Sequence, residues 1–149
     1  MEKTVIRGRG AIAGKASGYA IVCPKSIAGW RGIDPKTGII SDFENSNKGK
    51  SIKGSILVIP GSKGSNGWSC YFSIMRASGA GPSGMLVTRI DSSTAVAAVG
   101  MGVPVITDFD EKNDPCLLIS TGDFVEMDSE TGSVTIEKRV EQINPIAKE

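Results

Sequence analysis

The sequence predicts an α/β fold: one domain on a mixed sheet or barrel, with two main helices and a C-terminal antiparallel hairpin. Three observations carry that expectation. Short apolar runs at SILVIP (55–60), GMLVTRI (84–90) and PVITDF (104–109) suit strands buried on both faces. Helix-like patterns at 67–78 and 92–101 separate them, and this alternation implies parallel pairing with right-handed crossovers. The chain then changes character. CLLIST, GDFVEMD and SVTIE alternate apolar and polar residues around a tight turn at Glu130–Gly132, the pattern of a hairpin. At 149 residues there is room for one domain with a real core, and no repeat or linker divides it. Residues 1–149 therefore read as a single domain, with a polar tail from about residue 138.

Taken in order, residues 4–23 read as two strands with a glycine-rich bend between them. Residues 29–50 read as a long loop holding one short strand at Gly38–Ser41. Its DPKTG stretch is turn chemistry: Asp34 caps the turn, Pro35 presets the backbone angle and Gly38 releases it. A loop of this length in a small domain points to function or to cover by a partner. In the 67–78 helix the spacing puts Cys70, Ile74 and Ala77 on one stripe, with Tyr71 and Met75 beside it, and Gly79 at the C′ position. Trp68 and Tyr71 read as core or subunit-interface aromatics. Ser92 or Ser93 is the expected cap of the second helix.

Composition removes several function classes. Seventeen basic and sixteen acidic residues leave a formal charge of +1, which gives no footprint for nucleic acid or an anionic membrane. The absence of a long apolar run and of a signal-like N-terminus makes a cytoplasmic protein the expectation. There is no histidine, so a Ser-His-Asp triad, a phosphohistidine carrier and a histidine-bound zinc site are excluded within the chain. Cys23, Cys70 and Cys116 are odd in number and far apart. They form neither a disulfide framework nor a metal-binding spacing, and read as small buried hydrophobes. No metal ligands are expected from this chain.

The stretch GSKGSNGWSC (61–70) stands out, because a buried strand there hands over to a helix through small polar residues. Such a turn gathers free backbone N–H groups and the positive end of the helix dipole. Gly64 and Gly67 let the backbone approach a ligand, Ser65, Asn66 and Ser69 add hydroxyl and amide groups, and Lys63 adds a cation. The place suits a carboxylate or phosphate, at the carboxyl end of a strand where open α/β sheets bind ligands. Read from the residues alone, helix capping by Ser65 or Asn66, anion binding and catalysis all stay open. The stretch is not a P-loop, since it lacks the GK[ST] ending.

Four segments carry a resemblance over nearly the whole chain: GWRGIDPKTGII (29–40), NKGKSIKGSILVIPGSKGSNGWS (47–69), GPSGMLVTRIDSSTAVAAVGMGVPVITDF (81–109) and TGDFVEMDSETGSVTI (121–136). In order and spacing they resemble the small, swivelling β/β/α domain of aconitase X enzymes. The resemblance implies a hydro-lyase split over two components. A large aconitase-like subunit is expected to carry an iron or iron–sulfur centre and most of the active site. The small component delivers a serine, and the position that falls on that motif is Ser65. Ser65 is then the expected general base, usable as an alkoxide only if surrounding N–H groups, the helix dipole and cations stabilise it. Lys63, Gly64, Asn66, Gly67 and Ser69 are the expected substrate contacts, and iron as a Lewis acid would take the leaving hydroxyl.

Arg31 departs from the family's usual two glycines after an aromatic. It is expected either to meet a substrate carboxylate or to serve an interface. Asn45 stands where related chains can carry histidine. Two small hydroxy-acid substrates compete. SNGWS with DSSTAVAAVGMGVPVITDF looks closer to the cis-3-hydroxy-L-proline dehydratase type, whereas the phosphomevalonate dehydratase type tends to read GSTVGS and to favour more basic residues than Lys63. A non-catalytic swivel module that binds a carboxylate and docks on a partner is the reading from another class. The tail also resembles mobile phosphohistidine domains, a function the missing histidine removes.

Overall fold

The computed structural model describes residues 3–27, 32–62 and 68–139. Among the described residues there are eight strands: β1 (Lys3–Arg7), β2 (Arg9–Ile12), β3 (Lys15–Val22), β4 (Ile56–Ile59), β5 (Gly84–Val87), β6 (Val105–Thr107), β7 (Phe124–Asp128) and β8 (Ser133–Glu137). Helices α1 (Trp68–Ser78), α2 (Ser92–Met101) and the single-turn α3 (Pro115–Leu118) complete it. The sheet order is β1-β8-β7-β3-β4-β5-β6-β2. β3 to β6 run parallel, as the alternation of strand and helix predicts, and the other pairs are antiparallel. The long strand β3 joins the two regimes. Its first part, Lys15–Tyr19, pairs with β7, and its last residues, Ala20–Val22, pair with β4.

The N-terminal region is the first correction. Residues 4–23 hold three strands rather than two. β1 and β2 are separated by Gly8 alone, yet they lie at opposite edges of the sheet. The sheet therefore curls until its edges meet at that residue, where the Gly8 amide donates to the Gly132 carbonyl (2.9 Å). Closure needs glycine: a Cβ on Gly10 would sit 1.9 Å from the Ser129 carbonyl oxygen, and one on Gly132 2.1 Å from that of Gly8.

The pleat sends alternate residues to two cores. Ile6, Val22, Ile56, Val58, Leu86, Ile106, Val125, Val134 and Ile136 fill the inside of the curl, drawn from strands all around it. Ile21, Leu57, Ile59, Met85, Val87 and Val105 point outward beneath α1 and α2, together with Ile33, Ile40 and Ile52 of the 32–55 region. In that region the expected strand at Gly38–Ser41 is reduced to isolated bridges, Ile33 to Ile40 and Ile39 to Ser51. The DPKTG turn forms as read: the Asp34 carboxylate accepts from the Lys36 amide (2.9 Å), and Gly38 has φ 73°.

α1 buries a different stripe from the one expected. Phe72 and Met75 are fully buried and Tyr71 packs beside them, whereas Cys70, Ile74 and Ala77 face outward. The helix is apolar on several sides, and the two bulkiest side chains on the inner side remove more surface from water, about 2–3 kcal/mol each. Its end matches the Gly79 expectation: Gly79 has φ 76°, its amide donates to Arg76 and that of Ala80 to Met75. α2 is capped by Asp91 rather than by Ser92 or Ser93. CLLIST begins as α3, and the hairpin is β7 and β8. Lys138 and Arg139, where the polar tail was expected to begin, are tied to the buried Asp123.

Candidate functional site

β4 ends at Ile59, and α1 begins at Trp68. A buried strand handing over to a helix is thus found at both ends of the singled-out stretch. Lys63, Gly64, Ser65, Asn66 and Gly67 lie outside the described residues, as do Trp30 and Arg31. Ser69 falls in the first turn of α1, its side chain and that of Trp68 likewise outside the description. What the structure places is what flanks this segment: residues up to Ser62, past the carboxyl end of β4, and α1 from Trp68 on.

Two side chains grip the entry to the segment. Ser26, just past β3, is buried and donates its hydroxyl to the Gly61 carbonyl. Asp91, just past β5, uses both carboxylate oxygens. Oδ1 accepts from the Thr94 amide (2.8 Å) and hydroxyl (2.7 Å), which caps α2. Oδ2 accepts from the Ser62 amide (3.1 Å) and hydroxyl (2.8 Å). Burial pushes the Asp91 carboxyl up, but the Thr94 and Ser62 hydrogen bonds outweigh it and hold the pKa at about 2. Asp108, just past β6, pairs with Arg9 and accepts from the Ile90 amide (3.3 Å). The Arg9 hydrogen bond outweighs burial and keeps that carboxyl below the ordinary range.

Among the described residues, Ser26 (φ 63°) and Asp108 (φ 57°) are the two non-glycine residues in the left-handed region. Each costs about 1 kcal/mol or more, and both stand at the carboxyl edge. A cavity of about 260 Å³ opens beside Ser26, lined by Cys23, Lys25, Asp42, Glu44 and Asn45 among others. Asn45 accepts from the Asn47 amide (2.9 Å) and stands 3.8 Å from the Cys23 thiol. Phe43, between two lining residues, is 80% exposed.

Ser26, Lys25 and the second role of Asp91 were not singled out from the sequence. The signal present was the DSS run, which offers three adjacent caps and reveals only in three dimensions which one also reaches Ser62. The cysteines correct their expectation in part. Cys23 is buried, Cys116 is half-buried and Cys70 is exposed on the outer face of α1. Burial pushes the Cys116 thiol up to about 11, against a partial opposing effect of the Thr88 hydrogen bond. Among the described residues no three His, Cys, Asp or Glu side chains converge as metal ligands, so they do not fit an iron site. No described helix is long and apolar enough to cross a membrane.

Comparison with known proteins gives a consistent result. The family model described as the aconitase X swivel domain matches residues 5–136. The phosphomevalonate dehydratase small subunit of Pyrococcus furiosus is 34% identical over 131 residues, covering 88% of this chain and 94% of that protein. That of Thermococcus gammatolerans is 32% identical over 131 residues, 88% of this chain and 96% of the other. Among solved structures, the crystal structure of Thermococcus kodakaraensis aconitase X in its holo-form superposes with a TM-score of 0.80 at 31% identity. It covers 91% of this chain and 99% of that one.

Proposed function

Because the chain belongs to the aconitase X swivel domain family, we propose that it is the small subunit of a hydro-lyase that dehydrates a hydroxy acid together with a large aconitase-like subunit. The match over 5–136 to that family, with relatives named as small subunits of a dehydratase, carries the reading. The iron or iron–sulfur centre of the reaction is expected on the large subunit.

Ser65 is the proposed base. It takes the proton from the carbon next to the substrate carboxylate; the C–H pair becomes the new double bond, and the hydroxyl on the adjacent carbon departs as hydroxide, which with the proton taken by Ser65 makes up the water released. A serine does this only where its charged form is stabilised. The start of α1 three residues on, the preceding glycine-rich backbone and Lys63 support that role. Gly64, Asn66, Gly67, Ser69 and Arg31 are the proposed substrate contacts. The exposed Phe43 beside the cavity suits a face that another subunit covers and closes to water.

The substrate reading shifts from the one the sequence favours. The names of the two relatives above favour phosphomevalonate over cis-3-hydroxy-L-proline, and we adopt phosphomevalonate. Cis-3-hydroxy-L-proline is the second reading, carried by SNGWS at 65–69.

Co-expression with an aconitase-like large chain, followed by assay of the purified complex with both substrates, tests this. Turnover of phosphomevalonate is expected. Turnover of hydroxyproline alone moves the substrate to the second reading. Failure to form any complex overturns the subunit assignment.

A further inference from the structure

A helix cap needs one oxygen. Serine and threonine cap with a single hydroxyl, and Ser92 and Ser93 were both at hand. Asp91 instead caps α2 with Oδ1 and leaves Oδ2 to accept both the amide and the hydroxyl of Ser62. Ser62 lies three residues before Ser65, a span of about 10 Å at full extension. On its other side the Asp91 neighbour Ile90 is held by Asp108, which is itself paired with Arg9 of β2. Two sets of hydrogen bonds, joined by the Ile90–Asp91 backbone, thus run from an edge strand, past the ends of β6 and β5, to the entry of the 63–67 segment. Ser26 grips the adjacent Gly61 from the end of β3.

We propose that Asp91 is a positioning residue for Ser65, tying the start of the serine-bearing segment to the N-terminus of α2. The inference rests on the reading of Ser65 as the base. A weak base on a short segment depends on placement, and an error of about 1 Å costs on the order of 100-fold in rate. Two anchors from different strands, each ending in a side chain whose hydrogen bonds reach 61 or 62, fix where that segment leaves the sheet.

Asp91→Asn separates this role from capping. Asparagine caps as well as aspartate, so its carbonyl oxygen keeps the Thr94 bonds, while an amide nitrogen in place of Oδ2 cannot accept from Ser62. Amide hydrogen exchange on the full chain should show the Ser62 amide exchanging at least about tenfold faster, with Thr94 unchanged. In the complex with the large subunit, kcat should fall about 10- to 100-fold at a KM within about twofold of wild type. The double variant with Ser65→Ala should be no slower than Ser65→Ala alone. Three results overturn the proposal: a Ser62 amide as protected as in wild type, joint loss of protection at Ser62 and Thr94, or an unchanged kcat. An inactive Ser65→Ala beside a fully active Asp91→Asn overturns the positioning role alone. A fully active Ser65→Ala brings down the reading of Ser65 and this inference with it.

Discussion

In the antiparallel half, β1, β8, β7 and the first part of β3 turn alternate side chains into the curl; β7 and β8 are joined by a short turn, and the other pairs bring together strands far apart in the sequence. In the parallel half, β3 to β6 all end on one edge, and that edge gathers Ser26, Asp91 and Asp108, two of them with left-handed backbone and all three bonded to residues of other elements. One half closes the sheet and the other presents a segment. The difference teaches where each kind of residue is tolerated: antiparallel ladders satisfy their own backbone, while parallel strands release their chain ends together at one place, where side chains must hold them.

Substitutions can break that division of labour, starting with the largest effect. Gly10→Ala sets a Cβ against a backbone oxygen at the closure, where nothing flexible can yield. It should cost about 4 kcal/mol, read as a lower denaturant midpoint or as failure to fold. Ile136→Ala, fully buried inside the curl, should cost about 3 kcal/mol. Turnover per folded molecule should stay at the wild-type level, since the segment proposed as the site follows β4 in the other half; a large fall in kcat would break the comparison.

Acid sharpens it. Asp91 in the parallel half and Asp123 before β7 are both held below 3.8, burial in each case being outweighed by hydrogen bonds. For Asp123 these come from Arg139, Ser120 and Lys138. A depressed folded-state pKa means that the unfolded chain takes up protons first. The stability these groups give is therefore present above about pH 4 and is lost as pH falls. Melting temperature should drop between pH 4 and pH 2, and Asp123→Asn should flatten that drop. Ser26 gives the smallest effect on stability. Ser26→Ala should cost about 1 kcal/mol by leaving the buried Gly61 carbonyl without its donor. In Ser26→Gly, relief of the left-handed strain should offset most of that loss, so the pair separates strain from anchoring by thermal melts.

The parallel order, the handover from strand to helix at 61–70, the DPKTG turn and the hairpin were legible, because each is written in local periodicity or turn chemistry. Three features were not. The corner at Gly8 sends β1 and β2 to opposite edges, which no local pattern encodes. The buried face of α1 was misread because Cys70, Ile74 and Ala77 keep helical spacing as well as Phe72 and Met75 do, and only bulk decides between them. The roles of Ser26 and Asp91 depend on partners 35 and 29 residues away. As for the site, the sequence singles out the segment that carries Ser65, and the structure adds the residues that hold its entry.

The most direct test is Ser65→Ala in the co-purified complex with the large subunit, assayed with phosphomevalonate and cis-3-hydroxy-L-proline beside the wild-type complex. The account predicts an assembled complex whose turnover falls by about 10²- to 10⁴-fold. An assembled Ser65→Ala complex with wild-type turnover would contradict it, and would make this chain a docking module whose partner does the chemistry.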